Sequence, residues 1–292
     1  MADKIEIKFA PTELILLAYV GFQAVKSSLA GISQSGYILL FYVVAALFIG
    51  AMALVQHDGQ PSLRSFLKLN YPLFMLFLFY HVAGIQTAII GGNIYDSLFN
   101  SLEKSLVGVY PSFALQRIME VWLNELSYFG YAIGVIMPSL AFLMLFRKGR
   151  LNIYENYIMA IALGCCICLG LAVSFPTLGP EEALSGYYYL GFWGYHFTTY
   201  VPLFVRLFTS GQSSFPAFYF CVIIISSFYL WDYGRFYVVL SLLVMGLVFW
   251  GGVYLRYHYL LDGVVALIIA IFASASASYS LYRSSAKRPD FT

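Results

Sequence analysis

Apolar positions along this chain fall into runs of about twenty residues separated by short polar punctuation, which is the length a helix needs to cross a bilayer. Runs at 12–30, 36–56, 69–90, 125–146, 154–175, 215–231, 236–255 and 259–282 predict eight membrane-spanning helices. Gln23 and Lys26 interrupt the first, so that segment could span or lie along the interface. Spanning is the expectation, with Lys26 snorkelling towards an edge. The punctuation is chemically plain: His57-Asp58-Gly59-Gln60-Pro61 closes the second run and Gly91-Gly92 the third. Arg147-Lys148-Gly149-Arg150 and Asp232-Tyr233-Gly234-Arg235 close two later ones.

Two stretches depart from this rhythm. Across 93–124, Asp96, Glu103, Lys104, Arg117 and Glu120 alternate with apolar residues at helical spacing. That pattern predicts an amphipathic helix along the membrane surface, broken near Pro111. Across 176–214, Tyr187-Tyr188-Tyr189 and Phe192-Trp193 lie among glycines, which predicts a long aromatic loop at headgroup level. Pro138 and Pro202 read as kinks or helix ends, and Gly251-Gly252 as a step that lets helices pack closely.

Composition agrees with the pattern. The 292 residues are 61% hydrophobic and 10% charged, against about 25% charged in soluble domains. The fold class expected is therefore an all-α polytopic membrane protein. It divides into an N-terminal extension of two spans (1–68), a six-helix core (69–282) with the interfacial helix, and a basic cytoplasmic tail (283–292). A net charge of +2 gives no reason to expect nucleic acid. Cys165, Cys166, Cys168 and Cys221 all lie in apolar runs and read as packing residues, so neither a disulfide framework, nor a metal, nor a cofactor is expected. The polar start has no small-residue cleavage site and does not read as a removable signal peptide. With eight spans, eleven lysines and arginines fall on one side and four on the other, Lys26 being set aside as intramembrane. Both termini are then cytoplasmic, while the surface helix, the aromatic loop and the chemistry described next share the extracytoplasmic face. The expected location is a bacterial inner membrane.

The candidate chemistry is Arg256-Tyr257-His258-Tyr259-Leu260-Leu261-Asp262, at the junction of the last two runs. His258 and Asp262 are one helical turn apart, so the carboxylate can accept the Nδ1 proton, fix the tautomer and leave Nε2 free for nucleophilic work. The same spacing equally describes a pair that caps and orients a helix start. A site built from His81 and His258 for an ion or cofactor is a further, weaker reading.

From Asp96 to Asp262 the sequence resembles the type 2 phosphatidic acid phosphatase superfamily, in particular the branch of the inositol phosphorylceramide synthases. Tyr254 to Asp262 looks like that branch's third signature, Phe175-Pro176-Thr177-Leu178-Gly179-Pro180 like its first, and Ser214-Phe215-Pro216-Ala217-Phe218-Tyr219 falls where the second belongs. Asp96, Glu103, Gly108 and Pro111 echo its surface-helix pattern. The resemblance implies that His258 attacks phosphorus to give a phosphohistidine, that Asp262 orients it, and that a second histidine protonates the leaving alkoxide. It also implies arginines and serines clamping the phosphate.

Three positions depart from the pattern. Tyr219 stands where the acid histidine belongs, Glu181 where an arginine is expected, and Gly251-Gly252 where a hydroxyl- or arginine-bearing pair would lie. A phenol is a poor general acid at neutral pH, and losing such an acid costs about 10²–10⁴-fold in rate. The expectation is a catalytically degenerate member, a structural or lipid-binding subunit of a membrane assembly whose partners are membrane lipids and other membrane subunits. The alternative is an active lipid phosphatase or phosphotransferase in which His196 supplies the acid and Arg206, beside Arg256, the clamp. An ion pair between Glu181 and Arg256, filling the phosphate site from within, is a further expectation.

Overall fold

The computed structural model describes residues 9–55, 60, 62–90, 93–208 and 214–286. The expected turns at 56–59, 61 and 91–92 and the end of the tail, with Lys287 and Arg288, lie outside the described residues. The described chain is helical throughout, as its composition requires of a polypeptide that must satisfy its backbone away from water.

Helices α1 (Pro11–Leu29), α2 (Ile32–Ala53) and α3 (Leu63–Ile90) form an N-terminal group. The amphipathic α4 (Asp96–Val107) and the single turn α5 (Pro111–Ala114), continued as a 3₁₀ turn to Ile118, follow. Then come α6 (Val121–Ile133), α7 (Ile136–Leu145) and α8 (Leu151–Ser174). The segment beyond α8 carries α9 (Pro180–Ala183) and α10 (Phe197–Phe208). The chain closes with α11 (Phe218–Leu230), α12 (Arg235–Tyr254) and α13 (Leu260–Ala286). The central helix is α8: it packs against α1, α3, α7, α11 and α13, and Gly164, whose added Cβ would lie 2.8 Å from Ile225 and 3.6 Å from Ala273, lets α11 and α13 approach.

Among the described residues, six segments are long and apolar enough to cross a membrane: 35–53, 63–89, 121–145, 151–174, 235–254 and 260–280. Of the expected eight, the runs at 12–30 and 215–231 are not among them. Helix α11 with its 3₁₀ extension to Tyr233 is short, and α1 carries three polar side chains that the fold uses inside the bundle. Lys26 is half-buried near the end of α1. Its ammonium donates to the Val173 carbonyl (2.8 Å) and the Ser174 hydroxyl (3.2 Å), the electronegative end of α8. Glu13 pairs with Lys68 and accepts from the Tyr71 hydroxyl, while the Tyr42 hydroxyl donates to Gln86 (2.8 Å) and Gln86 to Ser27 (3.2 Å). The four cysteines are buried and unpaired.

Two expected boundaries shift. The surface segment ends earlier than 124, because Val121 already begins the next span, and that span is broken between α6 and α7. The segment 176–214 is not an irregular loop: α10 is an amphipathic helix packed along α6. Glu125, on α6, binds the start of α10 through the Phe197 and Thr198 amides (2.9 and 3.2 Å) and the Thr198 hydroxyl (2.6 Å). A carboxylate gathering orphan amides is an N-terminal cap supplied by another helix.

Candidate functional site

The site is built where three separated segments meet: 176–180 after α8, 214–217 before α11, and 255–262 between α12 and α13. Thr177 joins the first two. Its hydroxyl lies 2.9 Å from that of Ser214 and accepts the Phe215 amide (3.1 Å), and its carbonyl accepts the Ser214 amide (3.0 Å). Gly179 has φ 97° and sits so close to the other two segments that a Cβ would lie 3.1 Å from Ser214 Cβ and 3.2 Å from the Tyr257 carbonyl. Only glycine suits both demands.

From outside, α4 pins all of this. Asp96, Phe99 and Glu103 recur at helical spacing and form its buried face. Asp96 accepts the Leu178 and Gly179 amides (2.8 and 3.0 Å) and the Tyr259 hydroxyl (2.7 Å). Glu103 accepts the Leu261 amide (3.2 Å) at the start of α13, and burial pushes its carboxyl up to about 7, against the opposing pull of the Leu261 amide. Burial, then the Asp96 carboxylate, raise the Tyr259 phenol, which stays a donor.

Helix α12 ends with the Tyr257 and His258 amides both returning to the Gly252 carbonyl (3.0 Å each) while Arg256 takes a positive φ of 66°. Wrapping the chain this tightly places His258 over Gly252, whose added Cβ would lie 3.3 Å from the imidazole. The neighbouring Gly251 lets α12 meet α6, its added Cβ falling 2.9 Å from the Ser127 carbonyl. Both glycines thus have packing reasons, as the sequence suggested.

His258 donates from Nδ1 to the Ser214 carbonyl (3.0 Å), with Asp262 Oδ2 further off at 3.5 Å. Nε2 is left facing the Tyr131 hydroxyl at 3.5 Å. Asp262, fully buried, spends the same Oδ2 on the Tyr259 amide (2.9 Å), capping α13, while Oδ1 has no partner. The histidine's tautomer is therefore fixed mainly by a backbone carbonyl, and the aspartate performs the capping and orienting duties together. Tyr131 and the Ser214 carbonyl were not singled out by sequence; nothing in the apolar run of α6 marks one tyrosine from another.

Tyr219 lines the same cavity but does not reach Nε2. Its hydroxyl donates to the Tyr131 carbonyl (3.3 Å), and the Val135 amide beside it bonds to the Ala132 carbonyl (3.4 Å). The Tyr131 carbonyl and the Val135 amide would bond to each other in an unbroken helix, so the phenol fills the gap between α6 and α7. The cavity beside His258 holds about 10 Å³, walled by Tyr131, Tyr219, Phe249 and Tyr259. That is room for about one water. No lysine or arginine lines it.

Arg256 points the other way. Its guanidinium stacks 3.8 Å from the Tyr188 ring centroid and 4.7 Å from that of Phe192, and donates to the Leu190 carbonyl (2.7 Å). It is 6% exposed, and burial lowers its pKa. The side chains of Glu181 and Arg256 form no ion pair, which corrects that expectation. The contact is through the backbone, where the Glu181 amide donates to the Arg256 carbonyl (3.0 Å). Burial raises the Glu181 carboxyl, while Arg256 and then Arg206 pull it down. Arg206 is exposed on α10, and His196 is exposed, offering its carbonyl to the Thr199 and Tyr200 amides at the start of α10. Neither lines the cavity at His258. His81 lies on α3, bonded to the Phe77 carbonyl (2.9 Å), and does not line it either.

A family model described as the PAP2 superfamily matches residues 100–276, more than half of the chain. The chain belongs to the PAP2 superfamily. No curated protein and no solved structure matches it. The match takes in α4 from Asn100 onward, the segment 184–196 that packs on Arg256 (the lid) and all three converging segments, so most of the surface helix falls inside this PAP2 domain.

Proposed function

We propose that this PAP2 protein is a catalytically degenerate member of the inositol phosphorylceramide synthase-like branch, acting as a structural or lipid-binding subunit of a membrane assembly. The observation that carries the reading is the division of the third segment. Its histidine faces a cavity of about one water, and its arginine is consumed by the lid. A phosphoryl group in transfer needs cations and donors around its oxygens. Here the walls facing His258 are aromatic or apolar, and the residue in the acid's place holds a broken helix together.

One observation favours the active alternative, a lipid phosphate phosphatase or phosphotransferase working through a phosphohistidine. With Nδ1–H given to the Ser214 carbonyl, Nε2 keeps its lone pair, the state a nucleophile needs. The deciding experiment is phosphate release by the purified protein from phosphatidic acid and from isoprenoid diphosphate, with His258→Ala alongside. The degenerate reading expects the two proteins to be indistinguishable. Turnover that His258→Ala abolishes overturns it in favour of the phosphohistidine.

A further inference from the structure

Helix α4 has three faces, and only one serves the site above. Asp96, Phe99 and Glu103 look inward. Leu98, Leu102 and Leu106, spaced by four, are exposed at 46%, 43% and 69%. On a helix of a membrane protein, such a stripe immerses one side in acyl chains and holds the helix at headgroup depth. Between these faces Ser97, Asn100, Ser101, Lys104 and Ser105 line an open pocket of about 510 Å³. Its far wall is Ala183, Leu184 and Tyr187, with Tyr110 at one end. That volume suits a small molecule or a headgroup.

The chemistry of this wall is lopsided. The Ser101 and Ser105 hydroxyls give their protons back to their own helix, at the Leu98 and Leu102 carbonyls (2.8 Å each), and so face outward as acceptors. Asn100 Oδ1 is enclosed and has no partner. The one cation is Lys104, its ammonium 5.4 Å from the Tyr110 ring centroid, and the Tyr110 and Tyr187 rings lie 6.0 Å apart. A matching ligand brings negative charge for the lysine, hydroxyl protons for the two exposed serine acceptors, and C–H groups for the rings. An ammonium headgroup supplies donors but is repelled by Lys104, and a choline supplies none.

We propose that this pocket binds the hydroxyl-bearing phosphate headgroup of an anionic lipid, outside the His258 cavity. The glycerol phosphate unit is the shared chemistry, and the exposed leucine stripe assigns it to a lipid. The site rests on the membrane reading of the chain and is independent of whether His258 turns over.

The test is retention of phosphatidylglycerol against phosphatidylcholine of the same acyl chains on the detergent-purified full chain, read by native mass spectrometry. Selective retention of phosphatidylglycerol is expected, falling about tenfold in Lys104→Gln and in Ser101→Leu and unchanged in His258→Ala. Lys104 is exposed, so its variant folds; matching melting temperatures check this. Equal retention of the two lipids, or retention untouched by both pocket variants, overturns the proposal. So does displacement of phosphatidylglycerol by free glycerol 1-phosphate at equal concentration, which would assign the pocket to a soluble polyol phosphate. Loss of retention in His258→Ala would place the lipid in the other cavity and overturn it as well.

Discussion

Arg256 and His258 stand two residues apart on one turn, yet they belong to different parts of the molecule. Arg256 faces the lid. Its guanidinium is sandwiched by Tyr188 and Phe192 and tied to Leu190, and its carbonyl holds Glu181. His258 faces the helix bundle, with one nitrogen committed to Ser214 and the other nearly idle. The positive φ at Arg256 separates the two directions. A phosphate site would need both groups to converge on one volume. Here the turn sends the cation outward as architecture and leaves the histidine alone beside a space of about one water. Sequence proximity within a signature is therefore no measure of shared chemistry; the backbone conformation between the residues decides.

Breaking the lid side has the largest expected effect. Arg256→Ala removes two ring contacts and the Leu190 bond from a buried position, and strands the Leu190 carbonyl. A loss of about 2–4 kcal/mol is expected. It would be measured by thermal unfolding in detergent, together with faster proteolysis within 184–196. Unchanged stability would mean the arginine is held for a ligand and not for the lid. The bundle side is tested by Tyr219→Phe. The phenol donates to the Tyr131 carbonyl, whose helical partner, the Val135 amide, turns to the Ala132 carbonyl (3.4 Å), so its removal leaves that Tyr131 carbonyl unpaired in the α6–α7 break. The expected cost is about 1–3 kcal/mol. A variant as stable as the parent would free Tyr219 from its structural duty and return it to candidacy as a proton donor.

What the sequence made legible follows from which physics is local. Apolar runs place helices because the bilayer demands length and hydropathy in one segment, so α2, α3, α8, α12 and α13 stood out. Helix α1 did not resolve, because Lys26 and Glu13 find partners on α8 and α3, which only the fold brings near. Helix α10 was hidden among aromatic and glycine signals, since its cap comes from Glu125, 72 residues before Phe197. At the site, His258 and Asp262 were visible by spacing. Tyr131, the Ser214 carbonyl and the Thr177 clamp were not, because a backbone acceptor leaves no trace in composition. The surface helix was partly legible. Asp96 and Glu103 are seven apart with Phe99 between, one face of a helix, but charge on an amphipathic helix suggests solvent. Both carboxylates instead turn inward to meet amides.

That inward turn gives the smallest and most specific test of the divided loop. Glu103 holds the Leu261 amide just beyond His258, and burial raises its carboxyl from 4.5 to about 7. A folded-state value above the unfolded one means the folded chain keeps a proton that the unfolded chain has released. Stability is then greatest below about pH 4.5 as far as this group is concerned, and declines as pH rises through about 7. Glu103→Gln retains an acceptor for Leu261 and never ionises. It should be more stable than the parent at pH 8 by about 1–2 kcal/mol, with the difference shrinking as pH falls and vanishing below about pH 4. Unfolding profiles of the two proteins across that range make the comparison. A parallel pair of curves would show that Glu103 does not titrate against the start of α13. Curves that converge at low pH would establish α4 as a support for the His258 side of the turn, separate from the aromatic clamp that holds Arg256.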